Sequence, residues 1–284
     1  MCVVIKIRKI FACLFAAAIL FASIGAVYLH GLAEEEIRLP ILMYHSVLKD
    51  TSRTGKYIVT PQQIEEDIEY LNSRGYKCVS AQNVINFVQQ GAPLPEKPYM
   101  LTFDDGNYNN LTYVLPILEK YDAYAVISVV GSYSEQFSET GEANPAYSYL
   151  RWEDIKSLAA SGRIEFGNHS YDMHSISAGR VGSSRARDED KWVYIDKFTR
   201  DCERTQNLLA ENCNITPVIY TYPYGAYCDE SREILGKEGF VMTLTCNEGI
   251  NKLTSDSECL YLMKRFNRSG NLISSDFFER CGIK

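Results

Sequence analysis

The chain has 284 residues, 46% hydrophobic and 23% charged, a globular balance that excludes a disordered, collagen-like or coiled-coil protein. Its 29 basic and 36 acidic residues give a net charge of −7, and Lys6, Arg8 and Lys9 stand in an amino-terminal segment without acids, so the remainder is more acidic still. Such a body repels a phosphate backbone, which argues against a nucleic-acid partner.

Residues 10–29 form the one long apolar run, uncharged and preceded by the three basic residues. Twenty residues at 1.5 Å rise span a bilayer core of about 30 Å. The positive flank keeps the amino terminus inside and sends the body outward. Residues 1–33 are therefore read as a single-pass signal anchor, with a signal peptide cleaved near Ala33 as the alternative. Residues 34–284 are the catalytic body, extracytoplasmic in either case. This body carries seven cysteines, an odd number with no CxxC pair, so a zinc ribbon is excluded and at least one thiol stays free or pairs between chains.

From residue 39 the pattern alternates. LPILMYH (39–45) reads as a buried strand with a polar tip, and Thr60, Pro61 and Gln63 open a helix by a capping box, with Ile64, Ile68 and Leu71 on one face. A short strand at 77–80, a helix ending at Gly91, a strand at 98–103, a helix near 111–120 and a strand at 123–130 follow. Residues 131–148 and 175–190 read as long surface loops. Between and beyond them come a helix at 152–162, a strand at 164–166, a long polar helix within 189–212, a strand at 217–223, a helix at 230–239 and a strand at 240–246. About seven strands separated by helices predict an α/β fold, a (β/α) barrel of parallel strands.

In such a barrel the chemistry sits at the carboxyl ends of the strands. The strand tips present His45, the Asp104–Asp105 pair, Asn168, His169 and His174, and Tyr222, Pro223, Tyr224 and Gly225. All three histidines of the body are among them. Two imidazoles and one carboxylate of the pair suit a divalent ion with open positions. Adjacent residues on an extended tip point apart, so the second aspartate is free to face a reacting water. Each signal alone has a plainer reading: an Asp-Asp-Gly turn, a loosely spaced histidine pair, a core histidine.

LTFDDG (101–106), GNHSYDMH (167–174) and TYPYG (221–225) together resemble the leading motifs of the polysaccharide deacetylases, the NodB-like carbohydrate esterase family 4. The likeness spans roughly residues 38–270. LPILMYHSV with His-x4-His is most similar to the poly-β-1,6-N-acetylglucosamine deacetylase branch. The resemblance implies a distorted barrel with fewer than eight strands and removal of acetyl groups from N-acetylated sugars. It implies Asp104 as general base, Asp105, His169 and His174 as ligands of a divalent metal (zinc, or cobalt, nickel or manganese), His45 as general acid, and the Tyr224 N–H as an oxyanion donor. Two departures stand out. The family arginine that orients the base is replaced by Thr221, with Arg265 as a candidate substitute and Arg268 a weaker one. The late Leu-x-x-His motif is absent, consistent with His45 in its place. An inactive glycan-binding module and a metal-dependent amidase acting on a small molecule are the alternatives. YSYLRW (147–152) offers rings either for sugar stacking or for local packing.

Overall fold

The structure, a computed structural model, describes residues 37–177 and 179–283. The apolar run 10–29 and the cleavage point near Ala33 lie outside the described residues. Among the described residues no helix is long and apolar enough to cross a membrane.

Seven parallel strands make the central sheet: β1 (Ile41–Tyr44), β2 (Pro98–Phe103), β3 (Ala125–Val129), β4 (Ile164–Asn168), β5 (Ile219–Thr221), β6 (Met242–Leu244) and β7 (Phe266–Asn267). They lie in the order β6-β5-β4-β3-β2-β1-β7, and the short strand Lys77–Cys78 adds to β2. A parallel bridge from Leu244 to Met263 joins the β6 edge to the segment that leads into β7, so the two edges meet in a distorted barrel.

The strands are apolar on both faces because both faces are covered, as parallel sheets require. The period of two then sorts the residues. Leu42, Leu101 and Ile127 belong to the larger core cluster, together with Ile64, Ile68 and Leu71 of the helix Pro61–Ser73. Ile41, Met100, Val126 and Ile219 form a separate cluster on the opposite face. Two residues further along three of these strands the same face becomes polar, with Thr102, Ser128 and Thr221 all buried and the Ser128 and Thr221 hydroxyls 2.6 Å apart. The apolar floor thus gives way to hydroxyls just below the strand tips.

Local chemistry explains the element boundaries. The Thr60 hydroxyl accepts from the Gln63 N–H while the Gln63 side chain accepts from the Thr60 N–H, closing the capping box. Residues 111–120 begin as a π turn, Asn110–Val114, before the α-helix Leu115–Lys120.

Two regions differ from the sequence expectation. Residues 131–148 are not a loop throughout: Gly131–Thr140 is an α-helix that ends at Gly141 in the left-handed region. Its polar sequence shows little apolar stripe, and its start is set by tertiary contact, where a Cβ on Gly131 would sit 2.5 Å from the Thr205 hydroxyl. The segment 175–190 contains a small antiparallel hairpin, Ile176–Ser177 with Arg180–Val181. All seven described cysteines are free thiols.

Candidate active site

Each strand delivers its polar tip to one end of the barrel. His45 follows β1 directly, with its backbone carbonyl held by the Asn110 side chain at 3.2 Å. Asp104 follows β2 and is anchored by its N–H to the Tyr44 carbonyl at 2.9 Å. The chain then turns sharply, with Asp105 at φ 73° and Gly106 at φ 71°. A Cβ on Gly106 would meet the Val129 side chain at 2.9 Å, so glycine allows both the turn and the close approach. This reversal sends the two aspartates in different directions.

Asp104 faces Arg265. The guanidinium donates to both carboxylate oxygens at 2.7 Å, and its remaining hydrogen bonds go to the Thr245 carbonyl and the Thr102 hydroxyl. Both residues are buried, at 0% and 2% exposure, so this is a desolvated bidentate pair. Burial pushes the Asp104 carboxyl up, but the Arg265 charge and hydrogen bonds outweigh it and leave the group below its ordinary range. The His45 Nε2 lies 4.0 Å from the same carboxylate. Burial lowers the His45 imidazole from its ordinary value against the pull of Asp104 and Asp105.

Asp105 faces the two histidines. Its Oδ1 is 3.1 Å from His174 Nε2 and 3.6 Å from His169 Nε2. The His169 Nδ1 binds the Thr221 carbonyl at 2.7 Å, which leaves Nε2 as the atom turned toward the aspartate. Burial lowers His174, yet the Asp105 hydrogen bond and charge override it, and the imidazole ends above its ordinary value; Asp105 is driven far below its own. The three donor atoms lie within 4.8 Å of one another. Bonds of about 2.0–2.2 Å to a common ion would place neighbouring donors roughly 3–3.5 Å apart. Two nitrogens and one carboxylate oxygen in this spacing fit a divalent metal.

The loop between the histidines is pinned from behind. The Asp201 carboxylate, on the long helix Lys191–Cys213, accepts from the N–H groups of Tyr171 and Asp172 at 2.8 and 2.7 Å. No motif marks Asp201 in the sequence; only the fold shows its role. In TYPYG, Tyr224 takes a left-handed φ of 58°, and its ring packs 4.8 Å from that of His174. Gly225 abuts Cys246, whose backbone nitrogen would lie 2.6 Å from an added Cβ. Pro223, the first residue of the turn, is buried. Thr221 spends its hydroxyl on Ser128 and its carbonyl on His169, so it takes no part in holding Asp104.

Arg268 is excluded as the partner of Asp104. Its Nε donates to buried Asp67 at 2.7 Å, where the Tyr44 hydroxyl also donates, behind the strand that carries His45. In the 147–152 segment, Tyr149 packs locally against Tyr133 and Phe137, whereas the Tyr147 ring is exposed.

The tips enclose a cavity of about 540 Å³ lined by His45, Asp104, Asp105, His169, His174 and Tyr224. Met43 of β1 and Lys56, Tyr57, Cys246, Glu248 and Asn267 complete its wall; no motif signals the last five. Tyr57, half exposed, rests its ring 4.8 Å from that of His45.

Poly-β-1,6-N-acetyl-D-glucosamine N-deacetylase of Escherichia coli K12 is 26% identical over 227 residues, covering 74% of this chain and 34% of that protein. The chain therefore spans about a third of the length of that relative. The Staphylococcus epidermidis protein of the same name is 22% identical over 240 residues, covering 84% of this chain and 76% of the relative. Among solved structures, a de-N-acetylase from Aggregatibacter actinomycetemcomitans superposes with a TM-score of 0.73 at 23% identity over 84% of this chain and 99% of that one. IcaB from Ammonifex degensii gives 0.69 at 23% over 87% and 97%. These likenesses show a shared fold. The sequence profile described as polysaccharide deacetylase matches residues 91–243, more than half of the chain, and takes in Asp104, Asp105, His169, His174 and Tyr224. The chain belongs to the polysaccharide deacetylase family.

Proposed function

We propose that the protein is a metal-dependent hydrolase that removes N-acetyl groups from an N-acetylglucosamine-containing extracellular or cell-wall polysaccharide. The observation that carries this reading is the junction, in one cavity, of the Asp105–His169–His174 cluster with the Arg265-held Asp104 and with His45. The names of the relatives point to poly-β-1,6-N-acetylglucosamine as the first substrate to try.

Asp105, His169 and His174 would hold the ion, zinc by donor chemistry, with cobalt, nickel and manganese able to use the same donors. When bound, the ion supplies Lewis-acid polarisation of the acetyl carbonyl and lowers the pKa of water. Asp104 takes a proton from the attacking water, and Arg265 keeps its carboxylate ionised and aimed. The water oxygen adds to the acetyl carbon. The Tyr224 N–H donates to the oxygen that gains charge there. His45 then gives a proton to the nitrogen as the C–N bond breaks, leaving acetate and a free amine on the sugar. Pro223 and Gly225 shape the turn that presents Tyr224. The charge pattern of residues 1–29 favours an extracytoplasmic, membrane-anchored body.

The test is acetate release by the full chain with added zinc from β-1,6-linked N-acetylglucosamine oligomers, beside peptidoglycan, chitin and acetylated xylan fragments. Release from the first with metal, and its loss on chelation, supports the reading. No release from any acetylated glycan, with metal bound, would overturn it in favour of an inactive binding module.

A further inference from the structure

The His45 ring is not aimed by a hydrogen bond of its own. Its Nδ1 is buried without a partner among the described residues, and its Nε2 stands 4.0 Å from the Asp104 carboxylate. His169 differs, because its Nδ1 is fixed on the Thr221 carbonyl at 2.7 Å. The direction of the His45 side chain is therefore set by its backbone and by the Tyr57 ring beside it.

That backbone is gripped by two adjacent asparagines, Asn109 and Asn110, at 2% and 0% exposure. They stand where the π turn Asn110–Val114 begins, and the Asn109 side chain makes no capping bond to it. Buried amides are costly to desolvate and must find partners inside the protein. Asn110 Nδ2 donates to the His45 carbonyl at 3.2 Å and to Asn109 Oδ1 at 3.3 Å. Asn109 Oδ1 also accepts from the Val47 N–H at 3.0 Å, and its Nδ2 donates to the Ser46 hydroxyl and the Pro145 carbonyl at 3.0 Å each. Residues 45–47 are thus held one after another by two side chains. The same short segment, 104–110, carries Asp104 and Asp105, and the Asp104 N–H is itself bonded to the Tyr44 carbonyl at 2.9 Å. The base, a metal ligand and the grip on His45 all belong to one stretch of chain.

We propose that Asn110, seated on Asn109, is the positioning residue of His45: it ties the acid to the segment that carries the base and a metal ligand, and so fixes acid against base. This rests on the deacetylase reading above, in which Asp104 takes a proton from water and His45 gives one to the nitrogen in the same turnover. At 0% exposure Asn110 does not itself reach the sugar. Its effect passes through the His45 backbone, where a tilt of the peptide swings the ring toward the leaving nitrogen or away from it. Amine loss needs that proton, whereas the alcohol of an activated ester hardly does. A loosened His45 therefore slows the amide and spares the ester.

The experiment uses the full chain with zinc and the variant Asn110→Leu, which keeps the volume and removes the donor. Acetate release is measured from a β-1,6-linked N-acetylglucosamine oligomer and from an activated O-acetyl ester. The variant should bind zinc in unchanged amount, lose about tenfold or more in kcat/KM on the amide, and stay within about twofold on the ester. Partial unfolding lowers both rates together, so the amide-to-ester ratio isolates the positioning effect. In a His45→Ala background the same substitution should change the amide rate by less than about twofold, because the side chain it positions is gone. An unchanged ratio in Asn110→Leu, full additivity with His45→Ala, or loss of zinc together with both activities overturns the proposal. If Asn110→Leu does not fold, Asn109→Ala, which removes the seat of Asn110, is judged by the same ratio. A spectrum needs no turnover: in histidine-labelled protein loaded with zinc, the His45 ring resonances should shift or broaden in the variant while those of His169 and His174 hold their positions. Should wild type release no acetate, the deacetylase reading fails on its own, and an unmoved His45 signal is then what defeats the positioning role.

Discussion

Replacing Arg265 by methionine keeps most of the side-chain volume and removes the one cation that faces Asp104. Two charge-assisted bonds of 2.7 Å are lost, and a carboxylate of 2% exposure stays behind without its partner. Breaking a buried pair in this way costs about 3–5 kcal/mol, which for a domain of this size lowers Tm by roughly 10 °C. The effect on protonation has a definite sign. In wild type the Asp104 carboxyl is held below its ordinary value, so its contribution to stability is present at neutral pH and is lost only as pH falls through that depressed value. Without Arg265 the upward push of burial is opposed only by His169 and His45, so the carboxyl rises from its depressed value and its stabilising contribution at neutral pH shrinks. As the proposed base it must be ionised, so the acidic limb of kcat/KM should move to higher pH, with kcat down by about 10²-fold. Arg265→Lys, which keeps a charge but not the fork, should lie between the two in stability and in rate. The assays are thermal unfolding at several pH values and acetate release from an N-acetylglucosamine oligomer across pH. An acidic limb that stays in place in a folded Arg265→Met protein with a rate within threefold of wild type would refute the orienting role.

Four further outcomes follow from the geometry. His174→Ala should lose the bound divalent ion by elemental analysis, whereas Asp104→Asn should keep the ion and lose turnover by about 10²–10⁴-fold. Because Asp105 holds the His174 imidazole above its ordinary value, zinc uptake should displace a proton and weaken as the solution is acidified. Calorimetry in two buffers of different ionisation enthalpy reads that proton directly. His45→Ala should retain metal and lose hydrolysis of N-acetyl substrates while activated O-acetyl esters, whose leaving group hardly needs a proton, suffer much less; equal losses on both would count against the acid. Gly225→Ala brings a Cβ to within 2.6 Å of the Cys246 nitrogen at a φ of 68°, so it should destabilise the Tyr224 turn and depress activity without removing the metal ligands.

Much of the fold was legible in the sequence because its causes are local. Alternating apolar strands and capped helices are written within ten residues of themselves. The Thr60–Gln63 capping box and the strand Pro98–Phe103 appear in the structure at their predicted positions. The histidines, the Asp-Asp-Gly turn and TYPYG stood out for the same reason: each occupies a strand tip, and the parallel barrel sends all tips to one end. The helix Gly131–Thr140 was hidden because its sequence carries little apolar period and its start is fixed by packing on Thr205. Which arginine faces the base was equally hidden. Arg265 and Arg268 lie three residues apart in one segment, and only the meeting of the barrel's two edges at Leu244 and Met263 turns the first inward to Asp104, 161 residues away, and the second outward to Asp67. The same closure sets Lys56, Glu248 and Asn267, from three distant segments, on the wall of one cavity. Local periodicity and capping are short-range forces that a sequence displays openly, whereas contacts across a closing ring depend on strand order and register, which no single segment contains.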